Sequence, residues 1–348
     1  MTVNDTRGNI VTLATAAQRI ITLSPHAAEL VFATGAGAQL IAVSEHSDAP
    51  PAVKTLPVIG NANALDLERI IALKPSLIVS PSWLSAAQRQ TLQTLRIAVY
   101  VADAPTPEAI ADDIEALGVL SGHEEEARAA AQRYRARLKA ITASVALGAV
   151  STQASTKLPS SACGRGVGGR AISEALSPSP TRRDAEGGVP YGHPSAHAEL
   201  VEAPPARGGR SQKCVGRKPV APLTVFYQLW NPPLYTAGGG SLIDQAITRC
   251  GGRNIFASLT SPSPIVSREA VIEAQPQVIL MGASEKDFAH WKEEWQRWPQ
   301  IPAVRRQAFI RIDPDLLHRP GPRFAEGMAA LCEGVQVSGI RYRESGNR

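Results

Sequence analysis

The chain has 348 residues, of which 44% are hydrophobic and 19% charged, and this is enough apolar material for two ordinary globular domains. No segment approaches the roughly 18 uninterrupted apolar residues of a membrane span, and the opening residues MTVNDTRGNI contain no apolar signal region. The formal net charge of +5 raises the question of nucleic acid. However, ten basic against five acidic residues between Gly148 and Pro219 account for all of it, so we expect no nucleic-acid binding.

Strands and helices alternate over residues 1–122, as they do in an α/β lobe. Ser24 and Pro25 form a favourable N-cap and first helical residue. The predicted elements are strand 20–23, helix 26–35, strand 41–43, a helix around Glu68, strand 77–79, helix 85–95, strand 98–101 and helix 107–120. Because the connections are short and the strands apolar, we expect a parallel sheet that is covered on both faces.

A long amphipathic helix is predicted over residues 123–146. The apolar residues Ala127, Ala131, Tyr134 and Leu138 are spaced four and three apart, and acidic residues open the helix while basic residues follow. Its length would be about 35 Å at 1.5 Å per residue. A helix of this length between two lobes is expected to brace them rigidly.

Residues 147–220 are rich in Gly, Pro, Ser and Arg and show neither a helical nor a strand period. Such a composition buries too little apolar surface to offset the entropy of ordering, so we expect a disordered insert. A basic arm that binds a partner is the alternative interpretation. The segment also resembles translated noncoding sequence in composition.

A second α/β lobe is predicted over residues 221–338, followed by a tail at 339–348. The predicted elements are a strand from 223, helix 242–249, a helix around Glu269, strand 278–281, a tryptophan-rich helix, strand 308–312 and helix 322–335. The phrase DLERIIALKPSLIV at 66–79 is matched by SREAVIEAQPQVIL at 267–280. Each has a capping residue, an Arg and a Glu near the helix start, a short apolar helix, a proline and an apolar strand, which predicts a duplicated lobe.

The sequence predicts no enzyme. It contains no P-loop, no HExxH, no GxSxG and no CxxC, and the run Gly238 to Gly240 lacks the spacing of a dinucleotide fingerprint. We therefore expect no catalytic residue, no metal site and no catalytic cofactor. A two-domain enzyme with a glycosyltransferase-like fold is the rival, and it would require a nucleotide-phosphate loop and a convergent acid or base, which we do not find.

Two glutamates occupy equivalent places in the repeat. Glu68 and Glu269 each lie in the first turn of a helix, where the helix dipole alone favours an acid. The duplication would also place one on each lobe, so the pair is suited to docking onto a symmetric, basic partner.

The loops that follow the strands are expected to line a cleft between the lobes. They carry His26, the His46 loop and Ser82-Trp83 in the first lobe, and Trp230 to Pro232 and residues 315–319 in the second. Aromatic, amide and imidazole groups suit a large, flat ligand with an amide fringe, although each residue also fits core or rim packing. Cys250 and Cys332 would form either a disulfide or two buried thiols.

Seven phrases, taken in order, resemble the cobalamin carriers of ABC importers, within the helical-backbone metal receptors or class III substrate-binding proteins. They are RIITLSPHAAEL, VSEHSDAPP, LERIIALKP, VFYQLWNPPLYTAGG, CGGRNIF, VSREAVIEAQP and DLLHRPGPRFAEGMAALC. The resemblance covers both lobes and the connecting helix. It implies two Rossmann-like lobes joined by one long helix, with cobalamin as a transported ligand in the cleft.

The resemblance also implies roles for individual residues. Glu68 and Glu269 would dock onto a permease dimer in the inner membrane, Cys250 would pair with Cys332, and the ligand would be met by His46, in place of a tyrosine, and by Asp315, Leu316, Leu317, His318 and Arg319. Trp230 is a further candidate on its own chemistry, since an aromatic ring can pack on the corrin.

The resemblance implies a periplasmic location, so the missing signal segment predicts either a start farther upstream or a copy that is not exported. We expect a monomer. A ferric siderophore or haem carrier on the same scaffold is the nearest rival. Siderophore carriers more often need cleft cations, whereas here most of the excess positive charge lies in the insert.

Overall fold

The structure is a computed structural model that describes residues 1–61, 65–82, 84–154 and 221–345. The insert predicted to be disordered lies, after residue 154, outside the described residues, and so does Trp83. Among the described residues, no helix combines the length and the apolar character that crossing a membrane requires.

The first lobe opens with a hairpin that sequence reasoning missed. Strands β1 (Thr2–Asn4) and β2 (Ile10–Thr12) pair antiparallel. In the turn between them, the Asp5 carboxylate accepts hydrogen bonds from the backbone N–H groups of Arg7 and Asn9 at 2.9 and 2.8 Å. The turn residues NDTRGN between two short β-branched runs were a usable signal.

The first lobe contains a four-stranded parallel sheet in the order β4-β3-β5-β6. Its strands are β3 (Ile20–Thr22), β4 (Leu40–Ala42), β5 (Leu77–Ser80) and β6 (Ala98–Val101). Its helices are α1 (Pro25–Ala33), α2 (Leu67–Ala72), α3 (Ala86–Thr94) and α4 (Ala109–Ser121). Strands β3 and β5 are buried along their whole length, as the unbroken apolar pattern predicts.

The second lobe is built around β7 (Leu223–Trp230), which pairs parallel with β10 (Val278–Gly282) and β9 (Gly252–Asn254) and antiparallel with the short β8 (Tyr235–Thr236). Strand β11 (Phe309–Ile312) pairs parallel with β10. The helices are α6 (Leu242–Arg249), α7 (Arg268–Ala274), α8 (Glu285–Trp295), α9 (Pro302–Arg305), α10 (Pro314–Leu317) and α11 (Phe324–Ser345).

The two lobes repeat one topology, as the duplicated phrase predicts. The parallel strands run in the order β4-β3-β5-β6 in the first lobe and β9-β7-β10-β11 in the second. In each lobe the first of these parallel strands along the chain therefore lies between the second and the third. The repeat extends to the caps. The Asp66 side chain accepts from the Arg69 N–H at 2.9 Å, and the Ser267 hydroxyl accepts from the Ala270 N–H at 3.2 Å.

The long helix α5 (Glu124–Ala154) connects the lobes and shares one apolar core with both. Its residues Ala127, Ala131, Tyr134 and Leu138 are all at most 6% exposed. The helix continues past the predicted end at 146, where an alanine-rich sequence favours helix. The predicted domain boundaries themselves stay predictions.

A disulfide bond joins Cys250, the C-cap of α6, to Cys332 in α11. It closes a loop with a sequence separation of 82 residues inside the second lobe. Of the two alternatives that the residues left open, the structure therefore contains the bridge, which ties two helices on the α5 side of the lobe together.

Candidate functional site

A cavity of about 800 Å³ lies between the two lobes. The first lobe lines it with Thr6, Arg7, Asp103, Ala104 and Pro105. The second lobe contributes mainly Trp230, Tyr235, Ser241, Leu317, His318 and Pro320. We call this space the inter-lobe cavity. Its size lies in the usual range for small-molecule sites, about 300 to 1,000 Å³.

Three of the seven predicted ligand contacts line the inter-lobe cavity, namely Trp230, Leu317 and His318. The other four, His46, Asp315, Leu316 and Arg319, are not among its lining residues. Ligand contact by all seven stays a prediction. The structure places His46 in an exposed loop with a positive φ of 63° and leaves Trp83 undescribed.

Trp230 presents a large apolar surface at the cavity. It is the last residue of β7 and is 58% exposed, although its indole N–H donates to the Pro232 carbonyl at 3.2 Å. Its ring is held edge-on by Trp291, with centroids 6.5 Å apart and planes at 78°. An aromatic ring that is fixed from behind and exposed in front is suited to packing against a flat ligand.

His318 is the C-cap of α10 and is exposed to the cavity. Behind it, Nε2 lies 3.2 Å from the hydroxyl of the buried Tyr227. A Cβ at Gly282 would lie 2.2 Å from Nε2, so only glycine leaves room for this packing. Desolvation of the ring lowers the pKa of His318, and we expect a neutral imidazole at neutral pH.

Five charged residues form an inter-lobe ion cluster next to the cavity: Glu29, Asp48, Asp315, Arg319 and Arg323. Arg319 lies 2.7 Å from the Asp48 carboxylate, 2.8 Å from Asp315 and 3.6 Å from Glu29. Arg323 donates two hydrogen bonds to Glu29, at 2.7 and 2.9 Å. The guanidinium of Arg319 is therefore already neutralised by carboxylates from both lobes.

The electrostatics of this ion cluster follow from burial and pairing. Desolvation would raise the pKa of Asp48, but the hydrogen bond and positive charge of Arg319 outweigh it and hold that pKa below its usual range. Partial burial raises the pKa of Asp315, and Arg319 opposes the rise. The side chain of Arg319 is only 15% exposed, which limits its freedom to meet a ligand.

A second set of contacts joins the lobes on another side of the cavity. Arg249 in α6 makes a bidentate pair with Glu108, and Nη2 lies 2.7 Å from Oε2. The Gln245 amide donates to the Pro105 carbonyl at 2.7 Å. With α5 and the inter-lobe ion cluster, these contacts hold the cavity walls at a fixed separation.

The glycine run after β8 has a packing role. A Cβ at Gly238 would lie 1.8 Å from the Ser261 carbonyl oxygen, and one at Gly239 would lie 2.0 Å from that of Ala257. The backbone of the 257–261 loop therefore approaches the run too closely for any other residue. Gly240 itself reaches the inter-lobe cavity.

Glu68 and Glu269 are both exposed in the first turns of α2 and α7, the equivalent helices of the two lobes. Hydrogen bonds from its own backbone N–H and from Ser267 lower the pKa of Glu269. Neither glutamate lines the inter-lobe cavity. The pair is thus placed away from the ligand cavity, and its docking role stays a prediction.

The first-lobe wall of the cavity was largely missed. Asp103 and Pro105 follow β6. Because ligands bind beyond the carboxyl ends of parallel strands, the end of this strand was a usable signal for them. Thr6 and Arg7 belong to the missed hairpin.

Within the part of the chain that the structure describes, no group of three His, Cys, Asp or Glu side chains is arranged to hold a metal ion.

Comparison with known proteins agrees with this architecture. The model of a family described as periplasmic binding protein matches residues 20–157. The vitamin B12-binding protein of Pectobacterium atrosepticum is 30% identical over 318 residues, which cover 90% of this chain and 87% of that protein. A match of this length includes residues of both lobes.

Solved structures share the fold. The crystal structure of the periplasmic vitamin B12-binding protein BtuF of Vibrio cholerae matches with a TM-score of 0.67 and 28% identity, over 93% of this chain and 98% of that one. A periplasmic haem-binding protein from Pseudomonas aeruginosa matches with a TM-score of 0.63 and 21% identity, over 91% of each chain, which shows the fold alone. The chain belongs to the periplasmic binding protein family, whose members are binding proteins and not enzymes.

Proposed function

We propose that the chain captures cobalamin, or a close corrinoid, in the inter-lobe cavity and delivers it to an ABC importer. The observation that carries this proposal is the fixed, exposed indole of Trp230 at a cavity that both lobes line. The vitamin B12-binding relatives at 28 to 30% identity support the choice of ligand. The family's description as periplasmic binding protein supports a periplasmic location.

The chemistry of the cavity suits a corrinoid. Trp230, Leu317 and Pro320 offer apolar surface for the macrocycle. Around them, the hydroxyl groups of Thr6 and Ser241 each donate to a backbone carbonyl and keep a lone pair that can accept a hydrogen bond from the amide fringe. The walls are joined by α5 and by inter-lobe ion pairs, so we expect little lobe movement on binding and a small ordering cost.

Purified chain is expected to take up cobalamin at one ligand per protein, bound in the inter-lobe cavity. Calorimetric titration combined with the visible spectrum of the cobalt centre measures this. Replacing Trp230 with alanine is expected to weaken binding at least tenfold, which corresponds to loss of about 1.4 kcal/mol of stacking and burial. A titration with no heat and no spectral change would remove the proposal.

Reversing the charge of Glu68 and Glu269 to lysine is expected to leave cobalamin affinity unchanged but to reduce uptake. Both carboxylates are exposed and distant from the cavity lining, and two lobes of one topology would present them to two permease subunits. Uptake by the corrinoid importer in proteoliposomes measures the effect, which should be larger for the double variant.

Glu293→Lys is the control for docking, because Glu293 is exposed but lies on α8, outside the two helices that carry Glu68 and Glu269. It should change uptake little. Full uptake by the Glu68→Lys, Glu269→Lys double variant would remove the docking role. Light scattering of the same preparations tests whether the chain is a monomer, as we expect.

Haem is the second candidate ligand, and one observation favours it. The His318 imidazole is exposed to the inter-lobe cavity, and a neutral imidazole can coordinate iron. Competition between cobalamin and haem for the cavity decides between the two. If the wild-type chain binds haem and not cobalamin, the chain is a haem carrier. If haem binding also survives a His318→Ala change, His318 is not the iron ligand.

A further inference from the structure

Among the described residues that line the inter-lobe cavity, Arg7 is the one lysine or arginine. It lies in the turn of the N-terminal hairpin and its side chain is exposed. The described residues include no hydrogen-bond or ion-pair partner for its guanidinium. An exposed arginine is common on protein surfaces, so what matters is how this one is held and which other cations are available.

The turn that carries Arg7 is fixed to the first lobe. The Arg7 backbone N–H donates to the Asp5 carboxylate at 2.9 Å, and Asp5 is 6% exposed. The Thr6 hydroxyl donates to the Val101 carbonyl at 2.7 Å, and the Asp103 N–H donates to the same hydroxyl at 3.1 Å. The backbone of Arg7 is therefore anchored to the carboxyl end of β6, at the wall of the cavity.

Three other described arginines near the cavity are already neutralised. Arg319 pairs with Asp48 and Asp315, Arg323 pairs with Glu29, and Arg249 pairs with Glu108. In each pair at least one guanidinium nitrogen lies 2.9 Å or less from a carboxylate oxygen. An anionic group of a ligand would have to break one of these pairs to use them. Arg7 has no such pair to break.

We infer that Arg7 recognises an anionic group on the ligand, which in cobalamin is the phosphodiester of the nucleotide loop. The inference rests on the proposed function and deepens it. A guanidinium donates two parallel hydrogen bonds to a phosphate, which selects a ligand by geometry as well as by charge. With the macrocycle packed against Trp230 of the second lobe, Arg7 of the first lobe would contact the nucleotide end of the ligand.

The test compares two ligands that differ at this group. Cobinamide has the corrin ring and its amides but no nucleotide loop and no phosphodiester. Arg7→Gln is expected to weaken cobalamin binding about tenfold, which is the usual size of a hydrogen bond to a charged group. Cobinamide binding should change less than about twofold, and raising the salt concentration should shrink the wild-type preference for cobalamin.

Arg96→Gln is the matched control, because Arg96 is also exposed and has no described ion pair but lies outside the inter-lobe cavity. It should leave both ligands unaffected. Arg7→Lys should restore part of the affinity. Unchanged cobalamin binding by Arg7→Gln, or an equal loss for both ligands, overturns the inference, whereas a wild-type chain that binds neither ligand refutes the proposed function instead.

Discussion

Replacing Glu29 with glutamine is expected to lower the free energy of unfolding by about 3 kcal/mol, because it removes the buried half of an inter-lobe ion pair. Glu29 is 6% exposed and accepts two hydrogen bonds from Arg323, and it also lies 3.6 Å from Arg319. Without its carboxylate, the Arg323 charge stays partly buried and uncompensated. Urea denaturation followed by circular dichroism measures the loss.

The exposed pair of Arg137 and Glu326 supplies the control. Its atoms lie 3.4 Å apart and both side chains are about half exposed, at 54% and 47%. Glu326→Gln should therefore cost no more than about 0.5 kcal/mol. The double change Glu29→Leu, Arg323→Met should recover much of the stability, since neither charge is then buried alone. A loss below about 1 kcal/mol for Glu29→Gln would show that the pair contributes little.

The ion cluster also determines the position of the second-lobe residues that line the cavity. Arg319 and Arg323 belong to the segment that follows α10, directly after the cavity residues Leu317 and His318. Their pairing with Glu29 and Asp48 of the first lobe fixes that segment across the cleft. Arg319 is thus positioned to hold the cavity in shape, and the direct ligand contact that the family resemblance implied stays a prediction.

The architecture was predictable because its signals are local. Buried parallel strands such as β5 are unbroken apolar runs, and helices such as α2 and α7 begin at capping residues that the structure shows in use. The repeated phrase then predicts two equivalent lobes, and the shared strand order bears this out. Each of these inferences depends on residues within a short window.

The elements that were missed depend on partners far along the chain. Strand β9 has the sequence Gly-Arg-Asn, with no apolar pattern, and becomes a strand because it pairs with β7. Strand β8 has only two residues and pairs across a turn. Tertiary context overrides propensity for segments this short and polar.

The residues of the candidate site were likewise predictable only where the signal is local. Trp230, Leu317 and His318 follow or end regular elements, so the rule on strand ends points to all three. The family resemblance also points to Leu317 and His318. The pairing of Arg319 with Asp48 joins residues separated by 271 positions, and nothing near either residue predicts it. Arg7 was missed because the hairpin that carries it was missed.

The stability of the chain is expected to depend on pH through the buried carboxyl of Asp113. Asp113 in α4 is fully buried, and the Tyr100 hydroxyl donates to its Oδ1 at 2.6 Å. Burial raises the pKa of Asp113 from 3.8 to about 7, and the negative charges of Asp112 and Asp103 add to the rise. Between about pH 4 and pH 7 the folded chain keeps a proton that the unfolded chain has lost, so stability falls as the pH rises through this range.

Asp113→Asn should remove this loss. Asparagine resembles the protonated acid, since it keeps the oxygen that accepts from Tyr100 and carries no charge. Variant and wild type should differ little near pH 4, whereas at pH 8 the variant should be more stable by as much as about 4 kcal/mol. Urea denaturation of both proteins at the two pH values measures the difference.

The neighbouring Asp112 is the control for this prediction, because its side chain is 68% exposed and pairs with Arg135 at 2.7 Å. Asp112→Asn removes the same charge from the same helix without removing a buried one, so it should give no stabilisation at pH 8. A stability difference between Asp113→Asn and wild type that does not grow from pH 4 to pH 8 would mean that the Asp113 carboxyl titrates near its ordinary pKa. In that case water or a counter-charge would stabilise the Asp113 carboxylate in the folded chain. The hydrogen bond from Tyr100 would then stabilise an ionised acid in the interior of the first lobe.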